Sequence, residues 1–381
     1  MKIGLVLTNP PKPSETFLNS LIAILNEEHE LVLFVSRKSQ EIKGITQYTY
    51  FNKSNTLSNA FHFGVKLACN VRKFRLLKKK TSFKLLLHDI PLWTTSNLDY
   101  VHFAFGNLAF GREYYAEIMG CNMSVSFRGS DINVYPKWHN LSYTLILDKC
   151  EKVQCNSQEL KSEVLKHHKG VESKLSVIHP GLQSDFELKS HEIAWFNKNR
   201  LKNKVITFIS VGRLHWIKGF ETVFETLGKL KQEGVDFEYL LIGQGPEEEK
   251  LVFLSHFFDI QDNIKFLGLQ KPSEIRSHLE RANIFIQTSW AEGFSNSTME
   301  AQALGLPVIV TPISGMNELV LHKETGYITQ THASADILSG IKWFLSLSAD
   351  EKNELSIKAN QRVHENFSME QLSSNWLSFF S

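Results

Sequence analysis

Cysteine is scarce in this chain. Cys69, Cys121, Cys150 and Cys155 are the four in 381 residues, and no two form a Cys-x-x-Cys pair. Four are too few for a disulfide framework, and a reducing cytosol suits them. Long apolar runs are lacking as well: none approaches the roughly 18 residues of a transmembrane helix. The opening MKIGLVLTNPPKPSE has an apolar stretch of only a few residues before its prolines and Glu15. That is too short for a signal peptide and reads as a buried first strand. Charge of one sign is missing too. Lys and Arg total 42 against 40 Asp and Glu, a net +2, so no global field draws the chain to nucleic acid. No Gly-x-Gly-x-x-Gly follows the first strand, which disfavours a dinucleotide-binding dehydrogenase.

What is present is ordinary globular composition, 42% hydrophobic and 22% charged, in a chain long enough for two cores. Strand-like runs alternate with helix-like ones. Ile3–Leu7 and Leu31–Val35 flank TFLNSLIAILNEE, whose apolar spacing is helical, giving a βαβ unit and a parallel sheet. Further strands are expected at Tyr100–Phe105, Met123–Phe127 and Val177–Ile178. His179-Pro180-Gly181 is then a turn, and a polar stretch runs from Gln183 to Lys204. A second series follows, with strands at Val205–Val211, Tyr239–Ile242, Ile264–Phe266, Ile284–Gln287 and Pro307–Val310. The reading is two similar α/β domains, 1–180 and 181–365, joined near 180–203. A terminal helical segment, 366–381, would cross back onto the first.

Three motifs carry chemistry. Gly212-Arg213-Leu214 with Lys218-Gly219-Phe220 follows a strand and precedes a helix. Arg213 can grip a phosphate through two parallel N–H groups and Lys218 adds a point charge. Both emerge at a strand's carboxyl end, where open α/β sheets bind ligands. Alone, they read equally well as surface cations. Gly243-Gln244-Gly245 permits close approach of backbone to a ligand, or is simply a tight turn. The run SWAEGFSNSTMEAQALGLPVIVT places Glu292 in a loop and Glu300 in the first turn of a helix. Free N–H groups there suit a phosphate. Ser297 and Glu300 also satisfy a capping box, and Gly305 followed by Pro307 stops the helix. Capping leaves Glu292, Gly293 and Ser295 unexplained.

Together with Phe266-Leu267-Gly268, Gly315-x-x-Glu318 and Thr325-Gly326, these motifs resemble the GT-B glycosyltransferases of family 4, over residues 175–370. The resemblance implies two Rossmann-like domains facing a cleft. It also implies transfer of a sugar from a UDP- or GDP-linked donor with retention at the anomeric carbon, and no metal or other cofactor. The chain has no Asp-x-Asp pair of the metal-dependent type. Carried over, Arg213 and Lys218 would bind the donor diphosphate and stabilise the leaving group. Glu292 would hold hydroxyls of the transferred sugar, and Glu300 those of the ribose. The segment Gly293, Phe294, Ser295, Asn296 and Ser297 would hold the pyrophosphate through main-chain amides, with Gly243 and Gly245 beside it.

The N-terminal half departs from many relatives. Ser14-Glu15-Thr16-Phe17 stands where they have a Gly-Gly loop, and resembles the colanic acid and amylovoran-type exopolysaccharide branch. Ser14, Glu15 and Thr16 are expected either to line the acceptor cleft or, through Ser14, to cap the helix. His102 ends a strand and is expected at that cleft or in the core. Arg128 occupies the position of a family histidine. It cannot serve as a base at neutral pH but can stabilise a phosphate or a hydroxyl, with Asp131 as a possible ion-pair partner. The stretch Lys66–Lys84 has eight basic residues interleaved with apolar ones and no acid. It reads as a basic amphipathic helix on an anionic membrane surface, or as a solvated helix face. A lipid-linked glycan acceptor at the inner face of the cytoplasmic membrane fits the first. Competing readings are a non-catalytic nucleotide-sugar or glycan-binding protein and a GT-B epimerase or phosphorylase.

Overall fold

The structure is a computed structural model that describes residues 1–12, 15–37, 44–50, 64–200, 205–313 and 315–381. Two compact units are present: Met1–His179 with Leu372–Ser381, and Pro180–Gln371.

The first unit is built on a seven-stranded, all-parallel sheet. Its strands are β1 (Lys2–Val6), β2 (Glu30–Val35), β3 (Thr46–Thr49), β4 (Tyr100–Phe103), β5 (Asn122–Phe127), β6 (Lys152–Cys155) and β7 (Leu175–Val177). The spatial order is β3-β2-β1-β4-β5-β6-β7. Leu5, Val101, Phe103, Val125 and Phe127 are fully buried, the near-continuous apolar runs of a sheet covered on both faces. The helix Thr16–Glu28 returns the chain from β1 to β2 and buries Leu18, Leu21, Ile22 and Leu25.

The second unit repeats the plan. Strands β8 (Ile206–Val211), β9 (Phe237–Ile242), β10 (Ile264–Gly268), β11 (Ile284–Gln287), β12 (Val308–Val310) and β13 (Tyr327–Ile328) lie in the order β10-β9-β8-β11-β12-β13, all parallel. In both sheets the order reverses direction once, between β1 and β4 and between β8 and β11. Open α/β sheets place ligands in the crevice at that point, beyond the strands' carboxyl ends.

One segment differs from expectation. The polar stretch 183–204 is not a bare junction, since it contains the helix Ser190–Arg200. Arg200, only 3% exposed, donates to the main-chain carbonyls of Leu279, Glu280, Leu304 and Gly305. A buried guanidinium that satisfies loose carbonyl ends explains a polar sequence inside a packed unit. At the chain's end, the helix Met369–Phe380 buries Trp376, Phe379 and Phe380. Their rings meet His102 and Tyr100 of β4.

Candidate donor and acceptor sites

At the β8/β11 reversal, three loops are pinned to one another through their backbones. Gly243 has φ +138°, and a Cβ there would collide with the carbonyl oxygen of Gly212. Gly245 lies as tightly against the Leu214 carbonyl. Gly212 N donates to Ile242 O at 2.9 Å and Leu214 N to Gln244 O at 3.0 Å. On the side a Cβ would occupy, these glycines approach the neighbouring loop. They hold the loop 212–219 in a fixed position. Trp290 N donates to Ile217 O at 2.7 Å, which ties in the loop after β11.

This frame brings two of the expected residues together. Lys218 Nζ is ion-paired with Glu292 Oε1, and both side chains are largely sheltered, at 15% and 16% exposed. Ser289 Oγ also donates to Glu292 Oε1, at 2.9 Å. It accepts in turn from Gln287 Nε2 at 2.5 Å. Glu292 is thus aimed by a chain that starts inside β11. Gln287 and Ser289 were not singled out by sequence, although Gln287 ends the expected strand Ile284–Gln287 and Ser289 follows it. Arg213 is exposed on the same loop as Lys218.

The helix after this loop is Asn296–Ala303, and its cap is Ser295. Ser295 Oγ accepts from Thr298 N at 3.3 Å and from Thr298 Oγ1 at 2.9 Å. The capping box expected between Ser297 and Glu300 does not form, because the helix starts one residue before Ser297. Ser297 Oγ turns instead toward Gln287 Oε1, at 3.5 Å. Phe294, expected at the donor through its main chain, packs its side chain into the core. Its ring is buried against Phe367, centroids 5.2 Å apart, leaving only its main chain to face a ligand. The next segment fixes the loop, since a Cβ on Gly315 would lie 2.5 Å from Gly293 O.

Released from capping, Glu300 is 9% exposed. Among the described residues its carboxylate has no hydrogen-bond partner. Burial, and secondarily the charge of Asp185, push its pKa up to about 8. An unpaired, buried acid is costly to keep, and such groups concentrate where a ligand completes them.

In the first unit, Ser14 lies outside the described residues. Glu15 and Thr16 open the helix Thr16–Glu28, and Glu15 Oε2 accepts from Lys12 N at 2.8 Å. His102 is not at a cleft. It is fully buried, held between the hydroxyls of Ser124 (2.9 Å) and Ser126 (3.0 Å) and covered by Trp376, Phe379 and Phe380. Burial, with the nearby Arg128 charge, pushes its pKa down to about 3, so it is neutral. Two β5 serines alternating inward provide its partners, which makes it a core histidine.

Arg128 and Asp131 do not form the anticipated ion pair. Asp131 accepts instead from the main-chain N–H groups of Arg128 (2.9 Å), Gly129 (3.0 Å) and Gly106 (3.0 Å). Its carboxylate thereby closes the loops after β4 and β5 on each other. The Arg128 guanidinium donates from Nε to Ala104 O at 3.1 Å and stacks over Phe17, 4.3 Å from the ring centroid. Its Nη2 is buried without a partner. Burial lowers the Arg128 pKa to about 10, so it remains a cation at neutral pH.

The basic stretch is not one helix. Residues 64–69 are helical, Asn70 interrupts, and the helices Val71–Leu77 and Phe83–His88 follow, separated by a turn. Asn70 Nδ2 donates to Lys66 O at 2.9 Å, and Ser82 caps the last helix. Val71, Arg72, Arg75 and Leu76 share one exposed face, with Phe83 55% exposed beyond them. Among the described residues no helix is long and apolar enough to cross a membrane.

Residues 192–363 match the family model for glycosyl transferases group 1. Two curated relatives are the putative colanic acid biosynthesis glycosyltransferase WcaL of Escherichia coli and the amylovoran biosynthesis glycosyltransferase AmsK of Erwinia amylovora. WcaL is 29% identical over 171 residues, 43% of this chain and 42% of WcaL. AmsK is 32% identical over 168 residues, 42% of this chain and 41% of AmsK. The chain thus aligns with less than half the length of either relative. Among solved structures, a glycosyltransferase from Rickettsia africae aligns with a TM-score of 0.72 at 20% identity, covering 100% of this chain and 97% of that one. The Anabaena protein HepE, solved with UDP and glucose, aligns at 0.73 and 15% identity, covering 99% and 98%. The chain has the GT-B fold, and its residues 192–363 match the glycosyl transferases group 1 family model.

Proposed function

We propose that the chain transfers a sugar from a UDP- or GDP-linked donor to a glycan acceptor, in surface polysaccharide biosynthesis. The observation that carries this reading is the sheltered Lys218–Glu292 pair, with the partnerless buried carboxyl of Glu300 on the loop–helix segment that also carries Glu292. Lys218 and Arg213 neutralise the donor diphosphate as charge grows on it. Glu292, freed when phosphate competes for Lys218, accepts hydroxyls of the transferred sugar. Glu300 accepts the ribose hydroxyls, and main-chain N–H groups of 293–297 face the pyrophosphate.

The reaction is a substitution at the anomeric carbon with retention and without a metal. The bond from that carbon to the diphosphate oxygen breaks. The acceptor oxygen bonds on the same face, and its proton passes to the departing phosphate. Arg128 supplies positive charge and no base. The acceptor is carried on a lipid, and the exposed strip of Arg72, Arg75, Leu76 and Phe83 seats the enzyme on an anionic bilayer at the cytoplasmic face. There the cations meet headgroups and the apolar side chains enter the interface.

A thermal-shift panel of UDP, GDP and their sugars tests the donor. A ligand at about 100 times its dissociation constant adds about 2.7 kcal/mol, so the cognate nucleotide raises Tm and its sugar conjugate is consumed when acceptor is added. Glu300→Ala should weaken that nucleotide strongly in calorimetry. Unchanged affinity would remove Glu300 from the site.

A further inference from the structure

The first unit holds a cavity of about 470 Å³ at the carboxyl ends of β1, β4 and β5, within the roughly 300–1,000 Å³ of small-molecule sites. It lies at the sheet's reversal, as the Lys218–Glu292 pair does in the second unit. Its walls differ in character. Tyr135 and Trp138, three residues apart on the short helix Tyr135–His139, line it. Tyr135 is braced by His139 at 4.3 Å and by Phe110 at 6.1 Å. Trp138 is 73% exposed, an indole face presented at the rim rather than packed. A sugar ring, with one apolar C–H face, is a natural complement to such a surface.

The lining also includes Lys12, Glu15 and Asp131, and the commitments of the charged groups there are uneven. Both acids are spent on the backbone, Glu15 on Lys12 N and Asp131 on three N–H groups. Both cations lack a carboxylate within ion-pair distance among the described residues. The Lys12 ammonium is exposed. Arg128, behind the cavity-lining Phe105 at 5.9 Å from its ring centroid, keeps an orphaned, buried Nη2. Asp131 acts on this guanidinium through space without pairing with it, and a buried donor left without a partner favours an anion in its field.

We propose that this cavity seats a negatively charged sugar, a uronate or a phosphorylated hexose. Its ring stacks on Trp138 and its anionic group meets Lys12, in the field of Arg128. The assignment rests on the glycosyl-transfer reading in making that sugar the acceptor's reacting residue. It adds that the acceptor is acidic.

The test is saturation-transfer NMR on the full chain with methyl β-D-glucuronide, glucose 6-phosphate and neutral methyl β-D-glucoside. An acidic probe should bind about tenfold more tightly than the neutral one and weaken as salt rises. Preference for the glucuronide identifies a carboxylate, and preference for the phosphate ester a phosphorylated sugar. Trp138→Ala and Lys12→Ala should each lower that affinity by about fivefold or more, with UDP- and GDP-induced thermal shifts unchanged. Equal binding of neutral and acidic probes, no binding, or binding indifferent to both substitutions overturns the proposal. Glucuronide binding without any nucleotide shift in the wild type refutes the transfer reading and leaves the acidic-sugar site standing.

Discussion

Glu300→Gln isolates the cost of the buried acid. Burial raises the carboxyl from 4.5 to about 8, so the folded chain keeps a proton that the unfolded chain has lost. The sign follows from linkage. Stability is greatest below pH 4.5, falls as pH rises, and levels off above about 8. At 1.36 kcal/mol per unit, the difference between wild type and Glu300→Gln should change by about 4 kcal/mol between pH 5 and pH 8.5. For a unit of this size that is about 8–16 °C in Tm, at roughly 2–4 °C per kcal/mol. Glu300→Gln becomes the more stable protein at high pH, because glutamine fills the same volume without the charge. Scanning fluorimetry at half-unit pH steps reads this directly. An offset that stays constant from pH 5 to 8.5 refutes the argument, because shape and packing effects do not titrate. Nucleotide binding supplies a second readout. If ribose hydroxyls donate to the ionised carboxylate, affinity should rise close to tenfold per pH unit on approaching pH 8. Glu300→Gln should bind weakly and show no slope.

Three further outcomes follow from the geometry. Lys218→Met strands the sheltered Glu292 carboxylate and should cost about 1–3 kcal/mol in urea unfolding. Adding Glu292→Gln should recover part of that, and strict additivity would show that the pair is not coupled. Gly243→Ala forces a Cβ into the Gly212 carbonyl at φ +138° and should lose about 3 kcal/mol or more; a loss under about 0.5 would mean the loops are free to part. His102→Ala should lose about 2–4 kcal/mol through the cavity it leaves while nucleotide affinity is unchanged. A shift in that affinity would return His102 to the binding machinery.

Most of the sheet framework was legible because parallel strands buried on both faces read as apolar runs. Ile284–Gln287 was located to the residue. The missed strands are those without such runs: β3 (TQYT), β6 (KVQC) and the two-residue β13. Each pairs at or near an edge, where neighbours rather than hydrophobicity decide. Lys218 and Glu292 could be joined only because both follow strands, which places them at one end of one sheet across 74 residues of sequence. Motif and burial do not coincide everywhere. His102 carries the family's residue type, but the register of β4 on β5 sets it opposite Ser124, and that pairing decides its fate. The choice of Ser295 over Ser297 as cap depends on where the chain turns, which a two-residue difference in a serine-rich loop does not reveal.

The cost of Glu300 also bears on why the loops around it are so tightly fixed. A carboxyl buried without a partner will escape to water if its surroundings can open, and an escaped carboxyl would carry an ordinary pKa. It stays buried because its helix is capped by Ser295 and because the loop before the helix is clamped by Gly315 on one side and Trp290 on the other. The backbone contact between Gly243 and Gly212 holds the adjoining loop in turn. Rigidity here is a condition for keeping an unsatisfied acid ready, which a ligand with paired hydroxyls can then satisfy without rearrangement. It follows that loosening the frame should act like removing the acid. Gly315→Ala, far in sequence from Glu300, should lower the Glu300 pKa toward the ordinary carboxylate range. In the same variant the Glu300→Gln difference in Tm should become nearly independent of pH. A variant that loses stability but keeps the full pH-dependent difference would show that the frame and the acid are separate features.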